Sequence, residues 1–150
     1  MLLSKRCIYA LRAALYLALA KTDGEYISIQ KIASELNISF HFLTKILQDL
    51  QRKNLVISFR GPRGGVALAR PDTEITSMDI IRAINGEDVF AQCIMGLPGC
   101  GTETPCPMHE DWAKSRKAIE TVFNNISLAT LAEQTVKKHL RLTEPKATTE

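Results

Sequence analysis

The sequence predicts a mainly α-helical fold that contains one small β-hairpin. Apolar residues recur every three or four positions in several segments, which is the spacing of one face of a helix. Two short apolar runs flank a turn with three glycines, a pattern typical of a hairpin. Hydrophobic residues make up 45% of the 150 residues and charged residues 23%, an ordinary balance from which a packed core can form.

The first helix is predicted over residues 2–21, with Asp23 and Gly24 closing it. Its apolar run resembles a secretory signal, but Arg12 divides the run and leaves a stretch too short to span a bilayer. We therefore expect a core helix, a cytoplasmic protein and no membrane partner. A reducing compartment favours metal ligands or free thiols over disulfides, and Cys7 in this helix is expected to be a small buried side chain.

Two short helices are predicted next, over residues 29–36 and 40–53, with Ser28 and Ser39 as their N-caps. Asn37 lies between them and tolerates the left-handed backbone of a tight turn. Small and apolar residues stand at the offsets that two helices need to cross steeply. This arrangement is typical of a helix-turn-helix unit, with an ordinary helical hairpin as the alternative.

Strands are predicted over residues 55–59 and 66–69, joined by a turn at 60–65. Arg60 and Arg63 would lie at its tip, where arginines can enter a narrow minor groove, and the glycines would let the backbone approach DNA. Such a basic hairpin directly after a helix-turn-helix is a wing. The fold class therefore narrows to a mainly α-helical winged helix-turn-helix, which is followed by a long C-terminal helix.

The charge distribution agrees with a DNA partner. Residues 1–70 carry 11 Lys/Arg against 4 Asp/Glu, whereas residues 71–150 carry 8 against 12, which together give the net charge of +3. A basic front half favours a polyanion, and double-stranded DNA is the first candidate, with a solvated basic surface as the alternative.

The second helix of the unit is expected to bury its leucines and isoleucine and to expose a polar face. Thr, Lys and Gln can reach base edges, and a serine at a helix N-terminus suits a phosphate. A solvated surface is the alternative at each position. The candidate DNA contacts are Ser39, His41, Thr44, Lys45, Gln48, Arg60 and Arg63.

The second half of the chain is also predicted to be helical. A capping box at Thr76–Asp79 opens a short helix that Gly86 ends. A long amphipathic helix is predicted over residues 110–125, and Ser127 caps a last helix to about residue 140. The apolar stripe of the long helix comprises Trp112, Ser115, Ile119, Val122, Phe123 and Ile126.

Three regions result from this interpretation. Residues 1–70 form the winged helix-turn-helix DNA-binding domain, and residues 71–140 form a second region of helices and a loop. Residues 141–150 form a polar tail that we expect to be disordered.

Three cysteines and a histidine lie within 17 residues of a loop at 87–109: Cys93, Cys100, Cys106 and His109. Glycines and prolines between them break regular structure, so the loop can wrap around a bound group. Thiolates bind both iron–sulfur clusters and zinc. The gaps of six and five residues are wider than the usual zinc spacing and favour a cluster, with zinc and unliganded thiols as alternatives. His109 is either a ligand or a cap at the start of the next helix.

Several further stretches form a recognisable set with the cysteines and the Cys106-x2-His109 spacing. They are Leu3-Ser4-Lys5, Tyr9-Ala10-Leu11-Arg12-Ala13, Ile38-Ser39, Leu43, Leu50, Lys53-Asn54-Leu55-Val56, Arg60-Gly61-Pro62, Gly64-Gly65 and Asn125-Ile126-Ser127-Leu128. In this order the chain resembles the IscR/NsrR-type family of winged-helix iron–sulfur regulators, over about residues 1–135.

The resemblance implies a homodimeric transcriptional regulator in which three thiolates ligate the iron of a cluster, 2Fe–2S being favoured and 4Fe–4S the alternative. The long C-terminal helix would be a dimerisation helix that pairs the subunits, so residues 71–140 would hold the cluster-binding loop and the dimerisation helices. The loop of one subunit would lie near the first helix of the other. The fourth ligand in the family is the histidine after the third cysteine or an acid on the partner's first helix. That helix position is Ile8 here, which cannot ligate. His109 is therefore the better fourth ligand, with Cys7 of the partner subunit as the alternative.

Two other departures from the family pattern concern the loop and the operator. The first cysteine gap is one residue longer than in the family, and Thr44 stands where IscR-like members carry an acid involved in operator choice, so no operator sequence is implied. We hypothesise that ligation orders residues 90–110, which support the dimer, and that loss of the cluster releases the loop. Iron supply, oxidants and nitric oxide are all candidate signals.

Two rival functions remain. One is a regulator of the same fold that works without a cluster, through zinc, thiol oxidation or a protein partner. The other is an iron–sulfur redox protein. The sequence has no Gly-rich nucleotide loop, no second cluster motif and no paired catalytic carboxylates, so we do not expect an enzyme.

Overall fold

The computed structural model describes residues 2–20 and 25–144, and within them the chain is mainly helical with one antiparallel hairpin. The helices are α1 (Lys5–Leu19), α2 (Ile29–Leu36), α3 (Phe40–Arg52), α4 (Ser77–Asn85), α5 (His109–Asn125) and α6 (Leu128–Lys137); the strands are β1 (Val56–Phe59) and β2 (Gly65–Leu68). A short 3-10 helix covers Asp72–Glu74. The predicted fold class is confirmed. The predicted helix stop at Asp23 and Gly24, and residues 145–150 of the predicted tail, lie outside the described residues.

Serine side chains fix where three of the helices begin. Ser4, Ser28 and Ser127 each accept the backbone N–H of the residue three positions later, which satisfies a donor that has no partner inside the helix. Because Ser4 is the cap, α1 begins at residue 5 and not at residue 2. Ser39 also stands at an N-cap position, but its side chain makes no capping hydrogen bond, so the cap predicted there is wrong.

Residues with a left-handed backbone end three helices. Asn37, Asn54 and His139 have φ values of 52°, 55° and 50°. In each case the next N–H reaches the carbonyl five residues earlier at 2.9 or 3.0 Å, which satisfies a carbonyl that has no partner inside the helix. Asn37 takes the left-handed backbone predicted for the turn, and Asn54 follows the end of α3. His139 makes α6 end at Lys137, three residues before the predicted end.

The capping box at Thr76–Asp79 is confirmed. The Asp79 N–H donates to the Thr76 hydroxyl at 3.2 Å, and the Thr76 N–H donates to the Asp79 carboxylate at 2.8 Å. Thr76 also pairs with Ser127 in an isolated antiparallel bridge. The start of α4 is therefore tied to the start of α6, and Gly86 ends α4 as predicted.

The hairpin is held from one side by a segment that precedes α2. Val66 and Ile27 exchange two backbone hydrogen bonds of 2.8 and 2.9 Å, so β2 lies between this segment and β1. A Cβ on Gly65 would lie 2.1 Å from the Ile27 carbonyl oxygen, and one on Gly64 would lie 2.4 Å from that of Phe59. These two glycines therefore have a structural role. Because they lack a side chain, the backbone of Ile27 can pack against Gly65 and that of Phe59 against Gly64.

The main hydrophobic core contains residues from both halves of the chain. Ala10 and Ala14 of α1 pack with the inner face of α3, and Ile75, Ile80 and Leu128 join the same cluster. The core is thus continuous across the boundary predicted at residue 70. The division into a DNA-binding and a ligand-binding part stays a prediction about function.

A smaller cluster lies beneath α5. Its buried members are Cys7, Met78, Ile81 and Phe90. Ile119 and Phe123 of α5 lean on it, whereas Val122 is 53% exposed. The apolar stripe predicted on α5 is therefore shared between the chain's own core and an outer face. None of the helices in the described ranges is long and apolar enough to cross a membrane.

Candidate DNA interface and candidate thiol centre

The second helix of the helix-turn-helix, α3, has a buried face and an outer face. Leu43, Ile46, Leu47 and Leu50 are buried, as predicted. The outer face presents Ser39, His41, Lys45 and Gln48, which are exposed, and Thr44, which is half-buried. The candidate base contacts therefore share one accessible surface.

The hydroxyl proton of Thr44 is already used in a hydrogen bond within α3, which the sequence did not indicate. Its hydroxyl donates to the Phe40 carbonyl at 2.8 Å, so its free lone pairs can accept a hydrogen bond from outside the helix. Phe40 itself is 40% exposed at the first position of α3. Sequence reasoning missed it because an aromatic residue is usually assigned to a core, yet an exposed ring at this position suits a thymine methyl group.

A basic face on α1 adjoins α3. The Tyr9 ring meets the Phe42 ring edge-on at 5.7 Å, and the cationic groups of Lys5 and Arg12 each lie 5.6 Å from the Tyr9 centroid. Lys5, Tyr9 and Arg12 follow a spacing of four and three residues, which is one helix face and could have been recognised from the sequence. This face adds two cations beside α3.

The hairpin tip carries Arg60 and Arg63, both exposed. Among the described residues neither guanidinium has a carboxylate partner. Two unpaired cations at the end of a hairpin remain available to a phosphate or a groove.

The structure brings the three loop cysteines together. The Sγ atoms of Cys93, Cys100 and Cys106 all lie within 4.8 Å of one another, and those of Cys93 and Cys106 are 3.5 Å apart. Cys106 is buried and the other two are half-buried. Sequence spacing predicted this grouping, and the folded loop provides it.

His109 lies beside one of these thiols. Its Nδ1 atom lies 3.4 Å from the Sγ atom of Cys100, and it is the first residue of α5. The side chain of Met108, at the N-cap position, makes no capping hydrogen bond. The imidazole is therefore a fourth candidate ligand next to Cys100, although it is not within 4.8 Å of all three sulfurs.

The surroundings of the loop shift the pKa values of two of its thiols. Hydrogen bonds from the backbone of Leu97, then of Met95, and from the thiols of Cys106 and Cys100 lower the pKa of Cys93 to about 7. Burial, and the hydrogen bonds with the other two thiols, raise the pKa of Cys106. One thiol thus ionises near neutral pH next to thiols that donate to it, which is the state a metal ligand needs.

Side chains of α5 hold the segment that precedes Cys93. The Trp112 indole N–H donates to the Gln92 carbonyl at 2.9 Å. The Nη1 atom of Arg116 lies 3.0 Å from the Ala91 carbonyl oxygen and 3.5 Å from that of Phe90. These contacts span 20 to 26 residues of sequence, so no local pattern could have predicted them.

The donor set fits a thiophilic metal. Ligands at about 2.3 Å from a tetrahedral centre lie about 3.8 Å from one another, close to the 3.5 Å between the Cys93 and Cys106 sulfurs. Thiolates on different irons of a cluster stand farther apart, so a cluster would need a modest opening of the loop. Glycines at positions 96, 99 and 101, with no atom within 4 Å of an added Cβ, leave the loop room to open.

Comparison with known proteins identifies the same architecture in transcriptional regulators. The sequence model of the Rrf2 family, described as an iron-dependent transcriptional regulator, matches residues 3–134. An HTH-type transcriptional regulator of Aquifex aeolicus (strain VF5) is 30% identical over 142 residues, which cover 93% of this chain and 96% of the relative.

Two solved structures share the fold. CymR, the global cysteine regulator of B. subtilis, superposes with a TM-score of 0.75 at 29% identity, covering 89% of this chain and 97% of that chain. IscR of T. potens superposes with a TM-score of 0.74 at 27% identity, covering 93% and 91%. The resemblance inferred from the sequence is confirmed by these similarities.

Proposed function

This chain belongs to the Rrf2 family of transcriptional regulators, and we propose that it binds its operator as a homodimer under the control of an iron–sulfur cluster. Its relatives are regulators and not enzymes. The observation that carries the proposal is the convergence of three thiols within 4.8 Å in a chain whose family is described as iron-dependent.

DNA is bound, in this proposal, by the outer face of α3 and by the wing. Lys45 and Gln48 reach base edges, while Arg60 and Arg63 contact phosphates or the minor groove. Ser39 and His41 lie near the start of α3, where a phosphate is favoured by the helix dipole. Lys5 and Arg12 on α1 extend the basic surface.

The thiol centre would hold the cluster through Cys93, Cys100 and Cys106, with His109 as the fourth ligand. A bound 2Fe–2S cluster would supply an iron- and oxidant-sensitive link between these residues. The protein's own part is to fix three thiolates and an imidazole at the start of α5. A histidine ligand can be protonated or displaced more easily than a fourth thiolate, which suits a sensor.

A second copy of the chain would cover the outer face of α5. No residue of this 17-residue helix is buried, and Val122 stands exposed on the side away from the smaller cluster. A long helix with an exposed apolar position is the kind of element that pairs subunits about a two-fold axis. The thiol loop leads directly into this helix, so loop order and subunit pairing would be linked.

The test is anaerobic purification followed by a visible spectrum, iron and sulfide analysis, and DNA binding. Duplexes selected by the protein from a random pool serve as the DNA probe. We expect iron and sulfide in the protein, and an affinity for DNA that changes by about tenfold or more when chelators remove the iron. Cys100→Ala should lack the chromophore. A colourless, sulfide-free wild type that binds DNA normally would contradict cluster control.

One observation favours a second candidate, a single bound ion such as zinc. The Cys93 and Cys106 sulfurs are 3.5 Å apart and all three sulfurs lie within 4.8 Å of one another, a grouping compact enough for one tetrahedral centre. Such a protein would be a regulator of the same fold without a cluster. Stoichiometric zinc with no sulfide would identify it.

A further inference from the structure

The loop that carries the thiols has an anchored entrance. Three consecutive carbonyls, those of Phe90, Ala91 and Gln92, accept hydrogen bonds from two side chains of α5. The next residue along the chain is Cys93. The donors are Trp112, at 2.9 Å from the Gln92 oxygen, and Arg116, at 3.0 Å from the Ala91 oxygen.

These donors share one face of α5 with the candidate ligand His109. Positions 109, 112 and 116 are separated by three and four residues, the spacing of side chains stacked along a helix. Phe123 lies farther along the helix and stacks on Phe90, with centroids 6.0 Å apart and ring planes at 8°. A single helix thus contacts the loop at its entrance, while its first residue contacts Cys100 inside the loop.

The rest of the loop offers little other support. Ile94, Met95 and Leu97 are each about half exposed, and Gly96 and Gly99 have no atom within 4 Å of an added Cβ. A chain segment without regular structure and with few buried contacts opens at low free-energy cost. The buried ring of Phe90 fixes the start of the entrance segment, and the donors on α5 hold the carbonyls that lie between it and Cys93.

We propose that Trp112 and Arg116 are positioning residues of the thiol centre, which act by fixing the backbone of residues 90–92 so that Cys93 faces Cys106. The inference rests on the proposed function of that centre. In this proposal α5 contacts the loop at two points: His109 acts as a ligand, and Trp112 and Arg116 hold the entrance segment.

Arg116→Met removes the donors and keeps the aliphatic stem, and Trp112→Phe removes the indole N–H and keeps an aromatic ring. Lys117→Met, on an exposed neighbouring position, is the matched control. Arg116→Lys keeps one charged donor, so we expect this variant to behave much like the wild type.

The first measurement is amide hydrogen exchange of the reduced, metal-free protein. The N–H groups of Ala91 and Gly96 are hydrogen-bonded within the loop, to Asp88 and Cys93 carbonyls at 2.9 Å. We expect these two amides to exchange roughly fivefold faster in Arg116→Met and in Trp112→Phe, since a lost anchor opens the loop. Exchange in α1 and α3 should not change, nor should the thermal midpoint.

The second measurement is a titration with Co²⁺, whose visible absorption reports thiolate ligation. We expect roughly tenfold weaker Co²⁺ binding in Arg116→Met, as for other groups that orient metal ligands, and recovery in Arg116→Lys. A purely structural residue would not give this recovery together with an unchanged thermal midpoint.

The outcomes separate the two proposals. Unchanged exchange at Ala91 and Gly96 in both variants, with wild-type Co²⁺ affinity, would overturn the positioning role and leave the proposed function intact. Faster exchange in the variants, in a protein whose wild type binds neither iron nor Co²⁺, would support the anchor and overturn the proposed function.

Discussion

The Nδ1 atom of His109 lies 3.4 Å from the Sγ atom of Cys100, at the residue where α5 begins. This contact places the imidazole beside one of the three thiols within the same subunit. It also makes α5 the direct continuation of the thiol centre. The first prediction concerns this contact.

His109→Ala should weaken iron retention without unfolding the protein. Removing the fourth ligand is expected to lower metal affinity by about tenfold or more, because three thiolates remain but the coordination is incomplete. The rate at which visible absorption is lost in the presence of a chelator measures how fast iron leaves the protein. His139→Asn is the control, since Asn tolerates the left-handed backbone at that position. Equal rates in wild type and His109→Ala would remove His109 from the ligand set.

Cys7 should resist alkylation in the native protein. Burial raises its pKa to about 11, so very little thiolate exists at pH 8. We expect iodoacetamide to label the loop cysteines of metal-free protein at least about 100-fold faster than Cys7, as followed by peptide mass spectrometry. In denaturant all four should react at similar rates. Rapid native labelling of Cys7 would show that this part of the core opens.

The same burial predicts a dependence of stability on pH. The unfolded chain ionises Cys7 near the ordinary value of 9.0, whereas the folded protein does so only near 11. The unfolded state therefore binds fewer protons between these values, and the free energy of unfolding contributed by Cys7 should fall as the pH rises from about 9 to about 11. Urea unfolding of wild type and Cys7→Ala at both ends of this range measures it. A Cys7→Ala protein with the same pH slope as wild type would contradict the assignment.

The wing arginines should contribute to DNA affinity mainly through charge. Arg60→Ala is expected to cost about 1–3 kcal/mol of binding free energy and to lower the salt slope by about one. Fluorescence anisotropy at several salt concentrations, on duplexes selected by the protein, gives both quantities. Arg82→Ala, on α4, is the control. If Arg60→Ala and Arg63→Ala each bind with wild-type affinity, the hairpin does not contact DNA.

We predict that Asp49 contributes more than any other charged residue of α3 to the packing of α3 on α1. Its carboxylate contacts the guanidinium groups of Arg6 and Arg52, and its side chain is only 20% exposed. We expect Asp49→Ala to lower the free energy of unfolding by about 1–3 kcal/mol, partly because Arg6 loses its partner. Arg52→Ala removes a mostly exposed pair and should cost less than about 1 kcal/mol. Urea denaturation would test this order, and equal losses would contradict it.

Gly65 should not tolerate a side chain. A Cβ there would meet the Ile27 carbonyl oxygen at 2.1 Å and break the pairing of Ile27 with Val66. Gly65→Ala is expected to destabilise the protein by roughly 2 kcal/mol or more, with the wing affected first. Gly101→Ala, with open space around it, is the matched control and should be nearly neutral. The thermal midpoints of Gly65→Ala and Gly101→Ala would test this prediction. Similar midpoints would show that the wing can rearrange to accommodate a side chain.

Much of the fold could be predicted because local patterns determine it. Leu43, Ile46 and Leu50 follow helical spacing, and each is buried where the spacing places it. Asn37 lies in the turn and takes the left-handed backbone expected of it. The three cysteines meet because glycines and prolines let the loop fold back on itself.

The remaining features depend on contacts between distant residues. His139 ends α6 in a left-handed conformation, which is uncommon for residues other than glycine, although histidine adopts it more often than most, and the helix end predicted near residue 140 did not take that signal into account. Trp112 and Arg116 bind carbonyls whose position is set by the path of a whole loop. Gly65 is needed because of Ile27, a residue 38 positions earlier, and no spacing rule relates the two. The missing side-chain cap at Ser39 has no explanation in the structure.

The continuous core has a consequence for how a signal could reach DNA. Since α1 packs on α3 and also on α4 and α6, α3 cannot swing against the loop-bearing part without breaking that core. In the proposed homodimer, the freedom that remains would be the placement of one protomer relative to its twin. Two-fold partners meet half-sites about 34 Å apart along the double helix. A small change in the distance between two otherwise rigid bodies would then decide whether both reach their grooves at once.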